Sequence, residues 1–258
     1  MKEVGSGGGR LAPTTRKLIL AIALVLILVL GVACSTTGSE SSDGNTAGTG
    51  KTKQATTAKT SQATTTTKTS RGSGSAETSE TLKKLKVASP ASMSGYSRDR
   101  FHHWSKASDF GWAPPDSSCD TREAALIRDG KNVKVGKGCK VNSGEWPDPY
   151  TGQTYSDPKD LDIDHVVPLA NAWRSGASSW DDKQRERYAN DPEVLLSVED
   201  NANQEKGDKG PEAWKPPNKS EWCDYAERWI QIKSKYSLSV NEQEKAALEQ
   251  MLNTCTGS

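Results

Sequence analysis

The chain has 258 residues, with 34 Lys and Arg against 33 Asp and Glu, and five cysteines. This near-neutrality hides two unlike halves: the first 94 residues carry 12 basic and 5 acidic side chains, and the remainder 22 and 28. The C-terminal part therefore lacks the general basicity of a protein that holds nucleic acid by charge alone, so any phosphate contact there must be local or bridged by a metal.

Taken in chain order, a basic start (Lys2, Arg10, Arg16, Lys17) leads into an apolar run at 18–32 that ends in Gly31-Val32-Ala33-Cys34. Fifteen residues are short for a spanning helix, which needs about 20, so residues 1–34 read as an export signal, with a single uncleaved anchor as the alternative. Cys34 after small residues resembles the lipobox of bacterial lipoproteins and is the candidate lipidation site, although Gly31 stands where those motifs usually have Leu. Residues 35–90 are rich in Ser, Thr, Gly, Ala and Lys and lack aromatic side chains. Such a stretch cannot bury enough apolar surface to offset its ordering entropy and reads as a disordered linker.

Residues 91–258 have the size of one domain and contain all eight Trp, all six Tyr and both Phe. The stretch 132–141 (NVKVGKGCKV) alternates around Gly-Lys-Gly and predicts a hairpin. LDIDHVV at 161–167, stopped by Pro168, and VLLSV at 194–198 predict two further strands, and EDNANQEK at 199–206 a short helix ending at Gly207. Two helices close the chain, with Asn218/Glu221 and Ser239/Glu242 as capping pairs. The expected class is α+β.

With Cys34 set aside, Cys119, Cys139, Cys223 and Cys255 form an even set in an exported chain and imply two disulfides. Three pairings are open; proximity favours Cys119 with Cys139 and Cys223 with Cys255. If the last two helices form an antiparallel hairpin turning at 237–239, Cys223 and Cys255 lie about equally far from the turn, roughly 20 Å along each helix.

The chemistry centres on Asp162-Ile163-Asp164-His165. An imidazole beside carboxylates at a strand end suits proton abstraction. About forty residues on, Asn203 offers a neutral oxygen and Lys206 and Lys209 two amines, in the order strand, strand, helix. On Thr121-Arg122, Cys139 with Ser143-Gly144-Glu145-Trp146, Tyr150-Thr151-Gly152, DIDHVVPLANAW, SGASSW and NQEKGDKGPEAWKPP, the chain resembles the HNH (ββα-metal) endonuclease superfamily, and within it the exported bacterial members. The resemblance runs from about residue 96 to 255.

It implies a ββα-metal core with an added hairpin and C-terminal helices. It also implies His165 as the general base, Asp164 and Asn203 as the ligands of one divalent metal, Mg²⁺ or Mn²⁺, and DNA or RNA as substrate. Arg122, Lys206 and Lys209 are the phosphate-contact candidates. Family members often have Asn where this chain has Val194, as a brace behind the catalytic loop; Asn201 is the candidate substitute. His102 and His103 read as helical packing at the domain edge, and most tryptophans as core. The implied protein is a monomeric endonuclease of low sequence specificity, tethered to the membrane or secreted. The rivals are a non-catalytic surface lipoprotein that binds nucleic acid or envelope polymer, and a different hydrolase such as a cell-wall enzyme.

Overall fold

The computed structural model describes residues 71–256. The export segment, Cys34 and the first part of the linker lie outside the described residues. What is described is an α+β arrangement of helices and two small antiparallel sheets.

The chain enters through helix α1 (Arg71–Lys84). Leu82 is buried in the main core, and the next segment continues on the domain through a bridge between Val87 and Val240. The linker expected up to residue 90 therefore ends earlier. Its average composition conceals a short apolar signal, Leu82 and Leu85, which pack on the main core, followed by Val87, which is exposed and bridges Val240 through its backbone.

Helix α2 (Thr121–Asp129) starts at Asp120, whose carboxylate accepts the amide of Glu123. Strand β1 (Lys131–Val135) and strand β2 (Val141–Pro147) form the expected hairpin, with Val135 opposite Val141 and Lys131 opposite Glu145. A short edge strand β3 (Thr154–Tyr155) completes this sheet. Trp146, fully buried, donates its indole N–H to the Leu126 carbonyl and clamps the hairpin onto α2. The Cys119–Cys139 disulfide ties the hairpin tip to the segment before α2.

The second sheet pairs β4 (Leu161–His165) with β5 (Leu195–Glu199), with Asp162 opposite Val198, Asp164 opposite Leu196 and His165 opposite Leu195. Between them the chain forms α3 (Leu169–Arg174) and α4 (Asp182–Ala189). Glu199 then caps α5 (Asp200–Lys206) by accepting the Ala202 amide at 2.6 Å, which turns the helix straight back over β4.

Helices α6 (Trp222–Lys235) and α7 (Glu242–Leu252) pack together, and the Cys223–Cys255 disulfide ties the start of α6 to the 3-10 turn (Asn253–Thr256) that follows α7. Of Trp222, Tyr225, Ala226, Trp229 and Lys233, whose spacing predicts one face of α6, all are buried except the half-buried Trp222; on α7, Ala247 and Met251 are buried and Ala246 is exposed. Two capping details differ from the sequence reading. Asn218 caps a single 3-10 turn (Lys219–Glu221) ahead of α6, and the true capping box of α7 is Asn241 with Glu244, two residues beyond the Ser239/Glu242 pair. Ser239 instead donates its hydroxyl to the Ser175 carbonyl, which holds the turn against α3. The buried Lys233 ammonium joins Glu244, Asn171 and Ser239, so Glu244 serves both the cap and a buried ion pair.

Of the tryptophans, Trp146, Trp173 and Trp214 are buried and Trp180 packs against the core. They are core residues.

Candidate active site

Alternation along β4 sends Asp162 and Asp164 to one face and Ile163 and His165 to the other. Helix α5 lies over the carboxylate face: Asn203 Nδ2 donates to Asp162 Oδ2 at 3.0 Å, and one turn later Lys206 Nζ donates to Asp164 Oδ1 at 2.9 Å. Two strand residues advance about 6.7 Å and three helix residues about 4.5 Å, so the i, i+2 pair of the strand meets the i, i+3 pair of the helix with little offset. The strand–strand–helix order is thereby converted into a local constellation.

Asp164, His165 and Asn203 line one cleft of about 190 Å³ with Tyr96, Arg98, Pro168, Gly207 and Asp208. His165 is 4% exposed, and its Nε2 lies 3.0 Å from the carbonyl oxygen of Ala189 at the end of α4. A carbonyl can only accept, so Nε2 carries the proton and Nδ1 keeps the lone pair. Burial first, then the nearby Arg98 guanidinium, lower the His165 pKa to about 3, so the ring is neutral across the physiological range.

Asp164 is 5% exposed, and both its oxygens are engaged: Oδ1 by Lys206, Oδ2 by the Tyr150 hydroxyl at 2.6 Å. Burial and the Asp164 charge push the Tyr150 pKa well up, so that hydroxyl stays a donor. Lys206 is completely buried and also donates to the His165 carbonyl at 3.2 Å. Its pKa is lowered by burial against the opposing pull of Asp164.

The donor set fits a hard divalent cation. Each Asp164 oxygen makes one hydrogen bond and retains a lone pair, and Asn203, with Nδ2 committed to Asp162, leaves Oδ1 to coordinate. A different group of close donors among the described residues, Cys223, Glu227 and Cys255, offers no thiolate because its two sulfurs form a disulfide.

The remaining candidates are dispersed. Arg122 pairs with Glu123 at 2.9 Å and lines a separate cleft with Lys140 and Lys159. Lys209 is exposed, three residues past the end of α5, and donates to the Glu205 carbonyl of that helix. Lys206 is a buried partner of Asp164 and no surface cation. The residue that brings a guanidinium to the His165 cleft is Arg98, which sequence reasoning passed over because it sits in a polar stretch more than sixty residues upstream.

The expected brace behind His165 is also built differently. Val194 is fully buried, and its carbonyl accepts the Val166 amide at 3.0 Å; Asn201 bonds Glu199 and takes no part. The bracing carboxamide is that of Asn190, next to Ala189. Its Oδ1 accepts from Ser105 N and Thr121 Oγ1, and its Nδ2 donates to the carbonyls of His102 and Glu186. His102 and His103 lie outside any helix, in the segment after a 3-10 turn (Arg98–Arg100), and the His103 ring stands 6.2 Å from that of His165.

Residues 120–251 match the family described as GmrSD restriction endonucleases, C-terminal domain. An Arthroderma benhamiae protein named "Uncharacterized secreted protein" is 52% identical over 172 residues, 66% of this chain and 80% of that protein. No solved structure matches the chain.

Proposed function

The chain belongs to the family of GmrSD restriction endonuclease C-terminal domains, and from that premise we propose that it is an exported HNH-type endonuclease that hydrolyses phosphodiester bonds of DNA or RNA with little sequence preference. The observation that carries this reading is the neutral His165, held by the Ala189 carbonyl, in the same cleft as Asp164 and Asn203.

In this reading His165 Nδ1 takes a proton from water as the water oxygen attacks phosphorus; the P–O bond to the leaving group breaks and the departing oxygen is protonated from solvent. Arg98 orients a non-bridging phosphate oxygen at the mouth of the cleft. Asp164 and Asn203 would hold one divalent cation, which supplies charge stabilisation to the phosphate and the leaving oxygen. Tyr150 and Lys206 fix the Asp164 carboxylate so that its remaining lone pairs keep one direction. This arrangement recognises backbone chemistry rather than base edges, hence the low sequence preference.

The two disulfides suit an oxidising compartment, and the similar protein bears the name of a secreted one. Within the same proposal residues 1–34 form a bacterial-type export signal, Cys34 carries the lipid, the following linker holds one monomeric nuclease domain off the membrane, and Mg²⁺ is the metal.

The test is incubation of the purified chain with supercoiled plasmid and with single-stranded RNA, in Mg²⁺, Mn²⁺ or chelator. Nicking that depends on metal and is lost in His165→Ala is expected. Intact nucleic acid under every metal, or full activity in His165→Ala, overturns the reading.

A further inference from the structure

The hairpin segment 131–140 carries Lys131, Lys134, Lys137 and Lys140 and no acidic residue, within a domain whose acidic side chains outnumber its basic ones. All four are exposed, as is Lys159. Among the described residues no ion pair uses any of these five. Exposed lysines concentrated on one hairpin, with no ion pair among the described residues, create a local positive potential that attracts anions.

The setting has a defined shape. A cleft of about 340 Å³ lies where the hairpin meets the start of β4, lined by Arg122, Lys140, Asn142 and Lys159. Its two carboxylates are engaged by the protein: Glu123 accepts the Val141 amide at 2.7 Å as well as Arg122, and the exposed Asp157 accepts the Lys159 amide at 3.0 Å. The Cys119–Cys139 disulfide holds the hairpin tip in place, so the lysines are displayed on a fixed arm.

Strand β4 connects this cleft to the His165 cleft, beginning two residues after Lys159 and ending at His165. Its five residues span about 17 Å, the axial advance of about five base pairs along one strand of B-form DNA. We propose that Arg122, Lys140, Lys159 and the hairpin lysines 131, 134 and 137 form a backbone-binding exosite that holds the substrate's phosphates about half a helical turn from the scissile bond. The inference rests on the nuclease reading for its direction along β4. A nucleic acid fits better than an anionic membrane because three of the cations, Arg122, Lys140 and Lys159, line a concave cleft near the start of the strand that ends at His165.

The experiment uses the full chain with Lys131, Lys134, Lys137 and Lys140 each changed to Gln, surface changes that leave the disulfide intact. Binding of a fluorescent 20-base-pair duplex is followed by anisotropy in chelator over a range of NaCl, beside hydrolysis of bis(p-nitrophenyl) phosphate and binding to phosphatidylglycerol vesicles. The expected result is a loss of duplex affinity of about a thousandfold at 0.1 M salt and a salt slope shallower by about 3 to 4. Hydrolysis of the small diester is expected to stay unchanged. Unaltered duplex affinity and slope overturn the exosite even when the small diester is cleaved. Loss of vesicle binding with duplex binding intact overturns it in favour of a membrane contact. Absence of diester hydrolysis in both proteins, with duplex binding still lost in the variant, overturns the catalytic reading and leaves the exosite standing.

Discussion

The Nε2 of His165 lies 3.0 Å from the carbonyl oxygen of Ala189, and this one bond selects the tautomer that leaves Nδ1 as a base. The residue after Ala189 is Asn190, which is fully buried and makes four side-chain hydrogen bonds. The setting of the His165 ring therefore depends on a carboxamide that does not line the cleft.

Replacing Asn190 by Ala should strand the Ser105 amide and the His102 carbonyl and cost about 2–4 kcal/mol of stability. With the Ala189 carbonyl loosened, kcat for plasmid nicking should fall about tenfold or more while KM changes little. Urea denaturation and steady-state kinetics check the two effects separately; an unchanged kcat in a folded variant would remove Asn190 from the positioning of His165.

Acid should destabilise the fold through His165. In the unfolded chain the ring takes a proton below about pH 6.5, whereas in the folded protein it does so only near 3. Between these values the unfolded state binds more protons, so stability falls as pH drops, by up to about 1.4 kcal/mol per unit from this group. His165→Gln should flatten that part of the profile, as measured by denaturant midpoints between pH 4 and 7.

Breaking the buried pair between Lys206 and Asp164 by Lys206→Met leaves the carboxylate with only Tyr150 as a charge-compensating donor, a loss of about 3–5 kcal/mol. A divalent cation can then take over the role of the ammonium. The rise in Tm on adding Mn²⁺ should be larger in Lys206→Met than in the unaltered protein, a comparison that differential scanning fluorimetry makes directly. An equal or smaller rise would mean that Asp164 is not where the cation sits.

Arg98 and Arg122 should separate cleanly. Because Arg98 lines the His165 cleft, Arg98→Ala should lower kcat/KM even for a small phosphodiester, by about tenfold to a hundredfold. Arg122 lies in the cleft with Lys140, so Arg122→Ala should spare the small diester and weaken only long substrates. Parallel assays on bis(p-nitrophenyl) phosphate and plasmid distinguish the two.

Much of this arrangement is visible in the residues themselves because it depends on short-range pattern. The hairpin, the Asp-His strand, its partner strand and the helix bearing Asn203 follow from alternation, Pro168 and Gly207, and each forms within a few residues of its expected bounds. Both disulfides join cysteines that proximity pairs, since loops of 20 and 32 residues close without threading through the core. Helix α1 and the shifted α7 cap were misjudged for a related reason. Composition averaged over a long polar stretch hides two apolar contacts, Leu82 and Leu85, and a Ser hydroxyl suited to capping is drawn away by the Ser175 carbonyl.

The residues of the candidate site and their order along the chain are thus legible in the sequence alone, through spacing that any local fold must respect. Only the tertiary structure decided which cations and braces serve them. Arg98, Tyr150 and Ala189 reach Asp164 and His165 across separations that carry no periodic signal, and whether a lysine is a solvated charge or a buried partner depends on what packs over it.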